Sequence, residues 1–279
     1  MKKNSFMKQI SATPYYVWAA LFIIVPIIYV LYYSFTDANG NFAGFDNFEI
    51  IEHYSSTFLL SLMMAFIATV VCLLIGYPLA LAISRTKPLT QKILIMLVML
   101  PMWINFIIRT DSIAILLEKN GLINQFLGLF GMHVELMDTR FAVIVGMIYD
   151  FLPYMILPIY SVLTKLDVRL VEAARDLGCN ALQALVKVIM PLSVSGIISG
   201  ITMVFVPCVS TFYISQRLGG ANTYLIGDAI EARMLSISAD YNKGATLSFV
   251  LMILIVVSTL IMNHYSDEEN TTAAGGFLG

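Results

Sequence analysis

The sequence predicts an all-α integral membrane protein of six transmembrane helices, and three observations carry that prediction. Hydrophobic residues make up 59% of the chain and charged residues only 12%, about half the charged share of an ordinary soluble domain. Six apolar runs reach the roughly 20 residues that a helix needs to cross a bilayer core. Lysine and arginine fall unevenly between the two sets of connections. No stretch is polar enough to build a soluble domain. The net charge of −2 resides in loops and gives no reason to expect a nucleic-acid partner.

The first run, 15–35, follows Lys2, Lys3 and Lys8. That order resembles a signal peptide, but the run is too long for one and no A-x-A cleavage site follows, so it reads as a retained helix after a short N-terminus, 1–14. The second run is 58–83. The third, 93–117, is interrupted by Arg109 and Asp111, so the span is expected to stop near Ile108, with a short surface helix beyond. The fourth, fifth and sixth are 141–163, 192–214 and 245–262. The polar tail, 265–279, is expected to be disordered.

With the N-terminus inside, ten of the sixteen basic residues fall on the cytoplasmic side. Loop 36–57, on the other side, has four acids and no lysine or arginine. Both termini and the 165–191 loop are therefore expected in the cytoplasm. Prolines 26, 78, 101, 153, 158 and 207 lie within spans. Each removes a backbone hydrogen bond, and either bent helices lining a pathway or irregular packing would account for them. Gly196-Ile-Ile-Ser-Gly200 is a small-xxx-small patch that predicts a close helix contact.

Nothing in the chain suggests a catalyst. It contains no G-x-S-x-G, H-E-x-x-H or phosphate-binding G-x-x-x-x-G-K-[ST], so any ATP used must be hydrolysed by another subunit. Cys72, Cys179 and Cys208 lack metal spacing, and His53, His133 and His264 are far apart. No metal site or disulfide is expected.

The loop "KLDVRLVEAARDLGCNALQALVKVIMPLS" is the informative one. Asp167 is a reasonable N-cap for a helix running to Leu177, with Leu170, Val171, Ala174 and Leu177 at one-face spacing. Gly178 stands where a left-handed residue would end that helix. Asn180 and Gln183 resemble a capping box opening a second helix, which Pro191 would close. The prediction is a helix–glycine–helix elbow projecting from the membrane.

Glu172-Ala173-Ala174, three residues, Gly178 and then Pro191 resembles the EAA loop of ABC importer permeases, whose pattern runs E-A-A-x-x-x-G, nine residues, I-x-L-P. Val188 and Met190 stand at the late positions and keep the spacing. The resemblance implies the type I ABC importer permease fold. It also implies that Glu172, Ala173, Ala174, Asp176, Gly178 and Pro191 form a coupling helix that docks on an ATPase. Residues 100–124, "VEAARDLGCNALQAL" and residues 210–230 narrow the resemblance to spermidine/putrescine importer permeases of the PotB type, from the first span to about residue 262. Asp111 departs from that pattern, which has an aromatic after Arg-Thr, so the outer mouth is expected to differ locally.

Several partners follow from the resemblance. They are a homodimeric PotA-type ATPase holding ATP and Mg, a second permease chain of PotC type, an extracytoplasmic PotD-type binding protein, a polyamine substrate and membrane lipid. The chain itself is expected to hold no cofactor and to sit in a bacterial cell membrane. A permease of the same build for an amino acid, a sugar or a thiamine-like cation fits the EAA loop equally well. An ion-driven secondary transporter is the rival of another class. Such proteins commonly show internal repeats, and none is evident here.

A polycation needs carboxylates and aromatic faces. Asp150 lies deep in the fourth run, about 14 Å past Phe141, where an acid costs about 2.5–3.5 kcal/mol. Two readings fit it: a cation-binding acid beside Tyr149 and Tyr154, or a carboxylate bonded to a neighbouring helix. Trp103 and Tyr213 complete the candidate pathway. Asp111, Asp228 and Glu231 are candidates for the outer mouth, where they would meet a cation, dock a binding protein or simply be solvated.

Overall fold

The computed structural model describes residues 14–131, 134–236 and 239–275; Lys2, Lys3, Lys8 and His133 lie outside the described residues. In chain order the helices are α1 (Pro14–Ser34), α2 (Ile50–Ser84), α3 (Pro88–Trp103), α4 (Phe106–Leu117) and α5 (Leu122–Gly128). There follow α6 (Arg140–Leu163), α7 (Val168–Asp176), α8 (Ala181–Leu192) and α9 (Val194–Ser210). The last two are α10 (Ile226–Leu235) and α11 (Tyr241–Gly275). Among the described residues four helices are long and apolar enough to cross a membrane, and up to six if each of two bent pairs is one span.

The bent pairs are where the structure departs from the expected spans. The third run breaks at Trp103, not near Ile108. Ile104 and Asn105 are extended, and the Asn105 side chain accepts from Ile107 N, capping a new helix that leaves at 94°. An asparagine cap is a stronger local instruction than continued hydropathy. The helix beyond does not lie free on a surface, because Arg109, Thr110, Ala114 and Leu117 are buried. The fifth run is also shorter than expected. Its helix starts at Val194 and ends at Ser210, and Thr211 is extended. The elbow's second helix runs past Pro191 to Leu192, and there the chain bends by 69°.

Two prolines share one accommodation. Pro26 follows a π turn over Ala20–Ile24, and Pro191 follows another over Leu185–Ile189. A wider turn just ahead of a proline makes room for the ring and relieves the missing i→i−4 bond. The final helix corrects the expectation for the tail: it continues to Gly275 instead of ending with the apolar run. Hydropathy reports depth in lipid, whereas a helix already formed can run on past its apolar stretch where no proline or glycine stops it, and none stands between Gly244 and the glycine pair 275–276.

The chain divides into two compact units. The first comprises Met1–Ser55 and Ala229–Leu254. In it Phe35, Phe45, Phe48 and Phe249 form an aromatic cluster with centroids 5.3–6.3 Å apart. Asn47 and Asn242 both donate to the Thr36 carbonyl, at 2.8 and 2.6 Å, and so tie the end of α1 down. The backbone N–H groups of Asn41 and Asn39 hold the Asp37 carboxyl below the usual carboxylate range. Trp18, Phe22 and most other side chains of α1 are exposed, which a membrane-spanning helix can sustain only with lipid or a partner around it.

The second unit comprises Ser56–Asp228 and Ile255–Gly279. Its centre is α6, whose buried residues include Val143, Gly146, Met147, Asp150, Met155 and Ile159. Against it lies α9, and the expected Gly196/Gly200 contact is the seam. A Cβ on Gly196 would stand 3.1 Å from Pro158 O and 3.2 Å from Ile159 Cα, backbone atoms that cannot swing aside. Gly196→Leu is therefore expected to force α6 and α9 apart and to destabilise by about 1–3 kcal/mol. The check is a lower Tm of the purified complex; an unchanged Tm would show that the seam yields.

Candidate functional site

The elbow forms from strictly local signals. Asp167 accepts from Arg169 N and caps α7. Gly178 has φ +87°; its N–H donates to Arg175 O at 2.9 Å, and Cys179 N donates to Ala174 O at 3.0 Å. That pair of bonds is the Schellman closure, which wants glycine because an L side chain is strained at positive φ. Asn180 and Gln183 then satisfy each other's backbone N–H groups at 2.8 and 2.9 Å, so the capping box forms as expected.

The elbow's apolar face is not the single stripe that the spacing suggests. Val171 and Ala174 are buried against the chain's own helices. Leu177 is 87% exposed, and Leu182 on α8 is 67% exposed. The periodicity is that of a helix, but two surfaces share it. The inner surface packs and borders a cavity of about 610 Å³ lined by Leu81, Arg85, Val171, Arg175 and Leu182. The outer surface, with exposed Glu172, Ala173 and Asp176 beside Leu177, has nothing over it among the described residues.

The intramembrane acid has a partner that sequence reasoning missed. Asp150 is fully buried; its Oδ1 pairs with Arg109 Nε, and its Oδ2 accepts from Thr110 Oγ1 at 2.9 Å. Arg109, 4% exposed, also donates to Pro101 O at 3.2 Å, and its guanidinium lies 5.9 Å from the Phe106 ring centroid. Pro101 lies in α3, and Arg109 and Thr110 lie in α4, so the cluster holds both sides of the break against α6. Arg109 is thus a core residue and not a solvated interruption of the third run. Neither oxygen of Asp150 is open to a solute in this state, and the reading in which it bonds a neighbouring helix matches its placement. Two opposite charges in neighbouring apolar runs were the available signal, since either one alone would be prohibitively placed.

The remaining candidates scatter. Tyr149 and Tyr154 are half-buried, and Tyr154 packs at 6.3 Å against the Phe151 ring. Trp103 is exposed at the end of α3. Tyr213 donates to Asp111 Oδ2 at 3.2 Å, and Asp111 Oδ1 pairs with Arg217 Nε at 2.6 Å, with Glu118 3.9 Å from the same guanidinium. The structure therefore joins Asp111 to Tyr213, through residues that nothing in the sequence connects. Asp228 is buried and accepts from Leu225 N at 2.7 Å and Ser215 Oγ at 2.9 Å, holding the turn into α10. Glu231 is half-buried.

Comparison with known proteins agrees with this architecture. The chain is 38% identical over 266 residues to the Haemophilus influenzae spermidine/putrescine transport system permease protein PotB, covering 91% of this chain and 92% of the relative. Its Escherichia coli counterpart is 37% identical over 254 residues, 88% of this chain and 92% of the relative. Among solved structures, a chain of a bacterial ABC transporter that imports the acidic polysaccharide alginate superposes with a TM-score of 0.80 at 19% identity, covering 95% of this chain and 96% of that one. The fold is accordingly the type I ABC importer permease fold expected from sequence. Residues 2–267, nearly the whole chain, match one family description, and the protein belongs to that family, the binding-protein-dependent transport system inner membrane components.

Proposed function

We propose that this chain is the membrane permease subunit of an ATP-driven importer for spermidine or putrescine, driven through its 165–191 elbow. The observation that carries the cargo is the relationship, at 37–38% identity over about nine-tenths of the chain, to permeases named for those polyamines. The elbow supports the coupling. Its backbone is closed by an internal Schellman turn and capping box, so it is rigid, while Glu172, Ala173, Asp176 and Leu177 point away from the chain's own helices. A rigid element with an uncovered amphipathic face is suited to a groove on a partner.

The chain hydrolyses no ATP in this reading. A homodimeric PotA-type ATPase holds ATP and Mg and moves Glu172, Ala173, Ala174, Asp176, Gly178 and Pro191 as one body. A PotC-type permease chain supplies the other half of the pathway, and a PotD-type binding protein delivers the solute. The ten basic residues on one side support a cytoplasmic elbow and cytoplasmic termini. Of the pathway candidates, Tyr149, Tyr154, Trp103 and Tyr213 remain proposed contacts, while Asp150 in this state holds α3 and α4 against α6.

The test is uptake of labelled spermidine into proteoliposomes carrying the assembled complex, with and without ATP, for the native chain and Glu172→Lys. The native complex is expected to accumulate spermidine only with ATP. Glu172→Lys changes an exposed side chain, so folding is expected to shift by about 0.5 kcal/mol or less, while uptake falls at least about tenfold. ATP hydrolysis stimulated by another solute but not by spermidine would overturn the cargo. Normal uptake in Glu172→Lys would overturn the coupling surface.

A further inference from the structure

Ser193 is the residue at which the elbow turns into the membrane. Helix α8 ends at Leu192, α9 begins at Val194, and their axes differ by 69°. Ser193 itself has φ −108° and ψ 7° and is fully buried. Its hydroxyl donates to Met190 O at 3.1 Å, reinforcing the last turn of α8. A hydroxyl has one hydrogen, so the 3.0 Å bond between Ser193 Oγ and the Tyr77 phenol is donated by Tyr77. Tyr77 lies in α2, 116 residues away, and directly precedes Pro78, where α2 lacks a backbone donor.

One turn further along α2 the packing opens. Leu81 and Arg85 face Val171, Arg175, Leu182 and Ile189 across the 610 Å³ cavity. A cavity therefore lies between α2 and the elbow at that level, and the buried phenol–hydroxyl bond is a directed link beside the hinge. In surroundings of low polarity such a bond is stronger and more angular than in water.

Resting on the reading of the elbow as the ATPase-driven element, we propose that Tyr77 and Ser193 are positioning residues for transport. Their hydrogen bond passes the movement of α8 into the proline-weakened part of α2, in parallel with the covalent connection into α9. Neither residue touches solute or nucleotide.

Three single variants of the assembled complex in proteoliposomes test this, each scored as labelled spermidine imported per ATP hydrolysed. Tyr77→Phe keeps the ring and its packing and removes only the donor. Ser193→Ala removes the acceptor, and Ser193→Thr keeps a hydroxyl. The ratio is expected to fall about fivefold or more in the first two, the effect of losing one buried hydrogen bond on an equilibrium, and to stay near the native value in Ser193→Thr. An unchanged ratio in Tyr77→Phe and Ser193→Ala would overturn the inference while leaving the proposed function intact. Equal losses of uptake and hydrolysis, tracking the yield of folded complex, would reduce the bond to a structural role and overturn it too. Loss in Ser193→Thr matching that in Ser193→Ala would do the same. A native complex with no ATP-linked uptake would instead overturn the coupling reading on which the inference rests.

Discussion

Asp150→Asn is expected to destabilise the protein by about 3–5 kcal/mol, the largest effect of any single substitution considered, because it leaves the Arg109 guanidinium buried without its counter-charge. An asparagine oxygen that accepts from Thr110 turns its NH2 toward the Arg109 N–H, so the variant loses the counter-charge and one acceptor while keeping the shape. Arg109→Met is expected to cost a similar amount by stranding the carboxylate. Combining Arg109→Met with Asp150→Leu removes both charges, and replacing a buried pair by apolar groups of similar size is commonly neutral or stabilising. The double variant is therefore expected to melt near the native Tm, and the cycle of four proteins isolates the pair's coupling.

Transport by the double variant then separates the two roles open to Asp150. If the acid only holds α4 against α6, the double variant imports spermidine with a KM close to the native value. If the carboxylate binds the cation in another state of the cycle, the double variant folds but its KM rises at least about tenfold, as loss of a charged hydrogen bond predicts. A native Tm in Asp150→Asn would contradict the ion pair itself.

The second large effect is at Gly178. Its φ is +87°, and no atom lies within 4 Å of the place a Cβ would take, so a side chain there meets no clash and suffers only the backbone penalty. That penalty is about 1–2 kcal/mol for an ordinary L residue, less for asparagine, and more for a β-branched residue. Proline cannot adopt the angle and also removes the N–H that donates to Arg175 O. ATP-driven uptake is therefore expected to fall in the order Gly178→Asn, Gly178→Ala, Gly178→Val, Gly178→Pro, with the last at least about a hundredfold below native. Measured against membrane-inserted protein, that order ties transport to the elbow's angle. Equal uptake across the series would mean that the angle does not matter.

What was legible in the sequence is what local chemistry decides. Apolar runs of bilayer length located the helices, since burial in lipid depends on composition within about 20 residues. The elbow's Asp167 cap, Gly178 turn and Asn180–Gln183 box were readable because each is settled within about six residues. Span ends were less legible. At Asn105 a cap overrides continuing hydropathy, and past residue 262 a helix outlasts its apolar run. Sequence alone also could not choose between Asp150's two roles, because its partners stand 41 and 40 residues away across a break that had first to be folded. The same holds for Arg217 with Asp111, 106 residues apart, and for Tyr77 with Ser193. Periodicity marks which face of a helix is apolar, but which neighbour meets that face, and which buried charge answers which, depends on how the helices cross; that is a property of the packed structure and of no single segment.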